Sequence, residues 1–494
     1  MTIVAKQPHF SIAAEAVDRT ARDAVFQPSF SALKRRPFSA RAPMETQVND
    51  PEIFGSVFKD DLSLISSVHG KLERLLLTIP NYVFDDNDAY QAAYKKMLEV
   101  LPLHTTLDIV VNEKNSEKLT AWVNLKSPGR SVNLYAFPND LKFTVWAEDG
   151  YLSANSDDGT GETYFIEPYE FKRSADSVIA DFVSNASNIN NTSAPLYFEG
   201  GNVLIGDDFF LVGRDYPKKT ISNNLINISP SAPKAEKTKK LKEAYTRYLD
   251  SQRKVMFPGT AKIVPGEKMS VRTDGDIGVM EVTNRGTGEL QPIFHIDMCI
   301  SLIGRLPGGK YEVLVGDTQL AETLLGVNWG EASLSSYFNE LAEDMKNLGF
   351  EVTRNPLPLA YRDFLNGSGQ YYNMTEFYDL IEAYFDKQTA DDVTGQFQRA
   401  GATKLFLREW YFATSNNLIS EVYGENKTVF MPQYGFGNFE NYKVIDEANA
   451  KIWKDRGFKV VGLGDYHPFA FNLGAAHCIT KYLGRGEIDN EGMM

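Results

Sequence analysis

Residues 72–80, LERLLLTIP, are followed by residues 87–101, NDAYQAAYKKMLEVL, and then by residues 106–112, TLDIVVN. The first and third runs are short, aliphatic and bounded by breakers, so each predicts a strand. The middle run places its apolar residues at the period of an amphipathic helix. Strand, helix and strand in that order make one βαβ-like unit, the building block of α/β folds.

The alternation returns four times along the chain. Residues 143–146 predict a strand, residues 174–185 a helix, and residues 196–213 two strands joined through Gly206-Asp207-Asp208. A third unit has a helix around 240–253 and a strand pair at 293–303 and 311–315. A fourth has a helix at 336–348. The fifth runs from 404 to 430 through a helix at 441–456 into a strand at 459–462. The units share negligible sequence identity, so a cyclic repeat around a central site and an ordinary α/β sheet both fit the pattern. Residues 229–240, SPSAPKAEKTKK, predict a polar, basic linker, and residues 316–403 an inserted excursion serving as a lid or as surface decoration. Domain organisation is expected as an N-terminal arm over 1–71, partly disordered, and one domain over 72–494.

The chain has 494 residues, 43% of them hydrophobic and 23% charged, as in ordinary soluble globular proteins. Apolar runs fall short of the roughly 20 residues a spanning helix needs, so no membrane partner is expected. A net charge of -14 disfavours nucleic acid, which requires a basic surface, and favours cationic ligands. Two cysteines, Cys299 and Cys478, are too few for a disulfide framework, and the start lacks a secretory signal. A reducing, cytoplasmic setting is expected. The segment through Arg41 has the Arg, Ser and Ala content of an organelle-targeting peptide but holds Glu15, Asp18 and Asp23, which such peptides avoid; a flexible or docked arm is the preferred reading.

Four short motifs lie where strands end or turn: Trp146-Ala147-Glu148-Asp149, Phe198-Glu199-Gly200-Gly201-Asn202, Phe294-His295-Ile296-Asp297, and Gly474-Ala475-Ala476-His477-Cys478-Ile479-Thr480. Together they supply a thiol, a histidine and carboxylates, the inventory for nucleophilic attack on a cationic, planar group. Each has a plain alternative. Gly200-Gly201 could be a simple turn, Trp146 core, and Asp149-Gly150 a turn. Cys299, between Met298 and Ile300, reads as a small buried hydrophobe. Cys478 differs, because a histidine and small residues precede it, letting backbone approach a ligand. His295 and Asp297, two apart in a predicted strand, should face the same side, and two such residues inside FHIDMCISLIG need a reason to be buried.

In this order and spacing the motifs resemble the guanidino-group-modifying enzymes of the pentein fold, whose five βαβ-type units surround a central site. Glu199-Gly200-Gly201-Asn202 is similar to their E-G-G-[ND], His295-Ile296-Asp297 to their H-x-D, and His477-Cys478 to the H-C that ends the catalytic region. HCIT and FEGGN resemble agmatine deiminases and bacterial peptidylarginine deiminases, and the W-x-x-D of residues 146–149 resembles peptidylarginine deiminases. The resemblance spans roughly residues 72–490. Two positions depart from it. Glu148 stands where agmatine deiminases usually carry Arg in W-x-R-D, and residues 472–478, NLGAAHC, replace their G-G-G-N-x-H-C.

The resemblance implies a pentein-type five-fold α/β propeller and a hydrolase that converts an arginine-type guanidinium to a ureido group and ammonia. Cys478 would be the nucleophile, His295 the acid and base, Glu199 its orienting partner, and Asp149 and Asp297 the guanidinium clamp. Trp146 and Asn202 would bind substrate. Free arginine, agmatine and peptide arginine all fit as the cationic partner. An amidinotransferase or arginine dihydrolase would use the same thiol, and HIDMCISLIG resembles the corresponding strand of amidinotransferases; E-G-G-N favours a deiminase. A non-catalytic pentein that binds a macromolecule would lack these groups. The chemistry requires no metal or cofactor. Asp157-Asp158, Asp207-Asp208 and Asp391-Asp392 lack the spacing of an EF-hand loop and read as acids in turns. Residues 304–310, GRLPGGK, read as a hairpin turn and not as a phosphate loop.

Overall fold

The computed structural model describes residues 59–486, apart from 86–87, 230, 265–267, 274–280, 284–289, 365–369, 385–386 and 400–404. The N-terminal arm expected over 1–71 therefore lies outside the described residues through position 58. Residues Leu62–Leu64 form a strand whose two leucines are buried. The chain divides into two compact units. Among the described residues one holds those of 59–262, 290–358 and 412–486, and the other those of 263–283 and 359–411.

Among the described residues the larger unit contains five sheets built alike. In each, a central strand pairs antiparallel on one side and parallel on the other. Leu72–Ile79 lies between Thr480–Arg485 and Thr106–Asn112. Thr163–Glu167 lies between Leu152–Ser156 and Asn190–Ser193. Phe209–Val212 lies between Val203–Ile205 and Lys254–Met256. Tyr311–Asp317 lies between Ile300–Arg305 and Glu351–Pro356. Asn426–Gln433 lies between Ile419–Tyr423 and Lys459–Asp465.

Parallel neighbours cannot be joined by a tight turn, and each of these five crossovers carries a helix. The helices are Asp88–Val100, Ile179–Ala186, Lys234–Leu249, Ser335–Asn347 and Lys443–Lys454. The helix Ser335–Asn347 shows why they dock: Phe338, Leu341, Ala342 and Met345 fall on one face and are all buried. The repeated element is thus ββαβ, one antiparallel strand longer than the βαβ unit the sequence pattern predicts. The result is an α/β fold with mixed sheets, none of them closed. The smaller unit has a four-stranded sheet, including Leu359–Phe364 and Leu405–Phe412, and two helices, Met374–Tyr384 and Lys387–Arg399.

Three local expectations are corrected. Residues 143–146 form no strand, because their donors are spent on side chains: Thr144 N and Oγ1 donate to the Asp176 carboxylate, and Val145 N to Tyr82 Oη. The strand expected from residue 293 begins at Ile300, and His295 instead caps a short 3-10 turn, Ile296–Met298. There the Ile296 amide donates to Asn202 Oδ1 and is lost to any sheet. The linker expected over 229–240 turns helical from Lys234, since Leu241, Ala244, Tyr245 and Leu249 give the helix Lys234–Leu249 a buried face. The stretch 316–403 is regular in large part, with the helices Thr318–Leu325 and Ser335–Asn347 and the strand Glu351–Pro356 in the larger unit. The turns at 206–208 and 306–310 connect antiparallel pairs as expected. No helix among the described residues is long and apolar enough to cross a membrane.

Candidate active site

The five sheets of the larger unit each begin with the strand that pairs antiparallel, and the segment just ahead of that strand is where the chemistry collects. The segments are 146–149, 199–202, 295–298, 414–417 and 474–478, preceding strands that start at residues 152, 203, 300, 419 and 480. Four of these are the motifs of the sequence. The fifth, Thr414-Ser415-Asn416-Asn417, carries no recognised motif, yet Asn417 is fully buried and grips the thiol segment. Its Nδ2 donates to Cys478 Sγ at 3.1 Å, and its Oδ1 accepts from the Ala475 and Cys478 amides at 3.0 and 3.1 Å.

Cys478 is 2% exposed, and its thiol donates to Asp297 Oδ2 at 3.5 Å. Burial pushes the thiol well above its ordinary value; the Asp297 and Asp149 charges push it further, and Asn417 and the Ala475 N–H pull it partly back. His295 is buried between two carboxylates, with Nε2 3.1 Å from Glu199 Oε2 and Nδ1 3.6 Å from Asp149 Oδ1. Burial alone would lower its pKa, but Asp149 and Glu199 together raise it, favouring the imidazolium. Asp149 Oδ2 is held by Arg173 at 2.8 Å, and Arg173 also bonds Asp176 at 2.9 Å. Burial raises the pKa of Asp149 overall against the pull of Arg173 and His295.

Asp149 Oδ1, Asp297 Oδ1 and His295 Nδ1 are buried and carry no hydrogen-bond partner among the described residues. Such atoms are costly unless something else satisfies them. Gly201 supplies the floor beneath them: a Cβ there would come within 2.4 Å of His295 Nδ1 and 3.2 Å of both Asp149 Oδ1 and Asp297 Oδ2. Gly200 has a separate reason to be glycine, because a Cβ would sit 1.9 Å from the Glu148 carbonyl and 2.8 Å from Lys481 Nζ.

The thiol, His295, Glu199, Asp297 and Asp149 thus come together as hydrogen-bonded or near neighbours. His295 and Asp297 share the site although they lie in a turn and not a strand. Asn202 is placed as a brace, its Oδ1 accepting the Ile296 amide at 3.0 Å and its carbonyl accepting the Gly213 amide at 3.0 Å. Trp146 packs on Gly474, where a Cβ would meet the indole at 2.1 Å, and it meets the Phe469 ring edge-on. The smallness of residue 474 therefore serves the indole. Leu473 closes the short helix His467–Ala470 in the left-handed conformation, φ 65°, where glycine is usual. The Leu473 and Gly474 amides donate to the Ala470 and Phe469 carbonyls, so the cap is complete without glycine.

By donor type Asp149, Glu199 and His295 would suit a cation, their ligand atoms lying within 4.8 Å of one another. The geometry favours a hydrogen-bonded cluster, since each imidazole nitrogen faces a different carboxylate and Arg173 already holds Asp149. The acidic pairs are engaged elsewhere: Asp207 and Asp208 with Arg305, Asp158 with Lys59, and Asp391 with Tyr378.

No protein-family model matches the chain, and no curated protein matches it in sequence. Solved structures match it in fold. A C. jejuni agmatine deiminase with substrate bound aligns at TM-score 0.50 and 14% identity, over 86% of this chain and 97% of that one. A protein assigned as an agmatine deiminase aligns at TM-score 0.52 and 15% identity, over 86% and 97%. A protein assigned as a peptidyl-arginine deiminase aligns at TM-score 0.50 and 11% identity, over 86% and 99%. The resemblance read from the four motifs and the likeness of these backbones agree, and the chain is similar in fold to these three solved structures.

Proposed function

We propose that the protein is a hydrolase that deiminates an arginine-type guanidinium to the ureido product, citrulline-like when the substrate is arginine, with release of ammonia. The observation that carries this reading is the pair of buried, unpartnered carboxylate oxygens, Asp149 Oδ1 and Asp297 Oδ1, beside a buried thiol. A guanidinium offers paired N–H donors along its edges and the positive charge that such a site needs. We further take the five ββαβ units to ring that site, as the resemblance implies.

The thiol is neutral before substrate arrives, held so by burial and by its two aspartate neighbours. A guanidinium between Asp149 and Asp297 offsets those charges and lets the thiolate form, the thiol proton passing to solvent. The thiolate attacks the guanidinium carbon, a C–S bond forms, and His295 as imidazolium gives its proton to the departing ammonia. The remaining thiouronium is attacked by water, which loses a proton to His295; the C–S bond breaks and the thiolate returns with release of the urea. Glu199 keeps His295 oriented through Nε2, so that the unpartnered Nδ1 is the nitrogen left for proton transfer.

The test is product analysis over free arginine, agmatine and a peptide arginine. Ureido product with ammonia in equal amounts supports the reading. Ornithine, a transferred amidine, or no turnover on any of the three overturns it.

Two substitutions sharpen it. Asp149→Asn and Asp297→Asn each remove a charge with little change of shape, and kcat/KM should fall about 10²-fold or more through both KM and kcat; full activity in either variant moves the clamp elsewhere. Gly201→Ala should push His295 aside and cost about 10²-fold in kcat, the order expected of an ångström-scale misplacement. Steady-state kinetics beside circular dichroism would distinguish that from unfolding.

A further inference from the structure

Behind the reactive groups lies a second buried set of charges that the mechanism above leaves unused. Lys481 Nζ donates to Glu148 Oε1 at 2.9 Å and to the Glu148 carbonyl at 3.2 Å, with both side chains 4% exposed. His477 Nδ1 lies 2.8 Å from Asp297 Oδ2, the oxygen that also accepts from the Cys478 thiol. Two buried atoms of the set have no partner among the described residues: Glu148 Oε2 and His477 Nε2. The Glu148 amide donates to the Cys478 carbonyl at 3.1 Å, tying the two segments together, and the Tyr482 ring stands 5.6 Å from the imidazole.

A neutral imidazole that donates from Nδ1 to Asp297 would leave Nε2 as a buried lone pair near a carboxylate. An imidazolium instead donates one N–H to Asp297 and carries a positive charge that the Glu148 carboxylate attracts. We propose that Glu148 is a positioning residue that holds His477 as an imidazolium, that Lys481 fixes Glu148 in place, and that His477 in turn keeps Asp297 fixed beside Cys478. The charged groups facing His477 are Glu148, Asp297 and Lys481; the first two raise its pKa against the effect of burial, and Lys481 opposes them. Glu148 thus gives a chemical meaning to the position where this chain departs from the W-x-R-D pattern. The proposal rests on the deiminase reading for its consequence, but its direct readout does not.

The experiment is ¹⁵N-histidine NMR of the full-length protein, which has six histidines, with the His477 signal identified through His477→Gln. His477 should be an imidazolium at pH 7. Glu148→Gln should lower its titration midpoint by at least one pH unit, Lys481→Gln should raise it, and Glu148→Asp should restore most of the wild-type value. Because either single change leaves a buried charge unpaired and could unfold the chain, the double variant Glu148→Gln with Lys481→Met provides an uncharged pair. Its midpoint should still fall, by less than in Glu148→Gln alone. Where a guanidine substrate is turned over, the high-pH limb of kcat/KM should move in the same directions. A neutral His477 at pH 7, or midpoints that do not separate between the two single variants, overturns the proposal whether or not any substrate is found. Failure of turnover with the NMR shifts intact would instead count against the deiminase reading alone.

Discussion

Cys478→Ala is expected to lower turnover of a guanidine substrate on the order of 10⁴-fold or more, because removing a covalent nucleophile leaves only binding and electrostatics. The change deletes a sulfur held by Asn417 and adds no bulk, so circular dichroism and the unfolding temperature should stay close to wild type. Cys299→Ala is the matched control. That thiol is fully exposure-free, packed among Ile296, Met298 and Ile300, and pushed far up by burial with a smaller push from Asp297. Its thiol hydrogen bonds run to the His295 and Ile296 carbonyls, so the variant should lose about 1 kcal/mol of stability and keep its rate. Equal loss of activity in both variants would reject the assignment of the nucleophile.

The residues that were legible in the sequence are those whose chemistry is incongruous with their surroundings. Cys478, His295, Asp297, Glu199 and Asp149 are polar groups set in apolar runs, and a buried polar group demands a partner. The strands were legible for the complementary reason: 72–79 and 106–112 are apolar on both faces, as strands covered on both sides must be. What escaped reading was structure held by side chains and not by ladders. Thr144 to Asp176 and Asn202 to Ile296 replace backbone pairing with side-chain bonds, so the strand expected at 143–146 and the first part of the one expected at 293–303 are loops that carry Asp149 and His295.

Asn417 and Arg173 escaped for another reason. Arg173 reaches back to Asp149 across 24 positions, and Asn417 lies 61 positions from the sulfur it grips. A signal did exist for Asn417. Residues 414–417, TSNN, are a polar cluster just before the opening strand of one unit, the position where the other four units carry their motifs. Seeing it requires knowing that the unit is ββαβ, because the βαβ reading omits the strand that marks the position.

The division of labour proposed for thiol and histidine leads to a trapping experiment. His295→Asn should cost about 10²- to 10⁴-fold in turnover, since it removes both the proton for ammonia and the base for water. It should not prevent a cation from sitting between Asp149 and Asp297. A small chloroamidine needs no proton transfer to its leaving group: sulfur displaces chloride, a C–S bond replaces the C–Cl bond, and the thiol proton passes to solvent. The His295→Asn protein should therefore still acquire the added mass on the peptide that contains Cys478. Charge gives a second discriminator. Burial and the two aspartates hold the thiol well above its ordinary value, so a neutral haloacetamide should label slowly at pH 7 and faster as pH rises through the alkaline range. The cationic amidine carries its own counter-charge to Asp149 and Asp297, so it should label faster at pH 7 and with a flatter pH dependence. Free arginine should slow the labelling if it occupies the same clamp. Mass found on Cys299, or equal rates for the neutral and cationic probes at pH 7, would mean that the two carboxylates do not recruit a cation to Cys478, and the clamp would have to be abandoned.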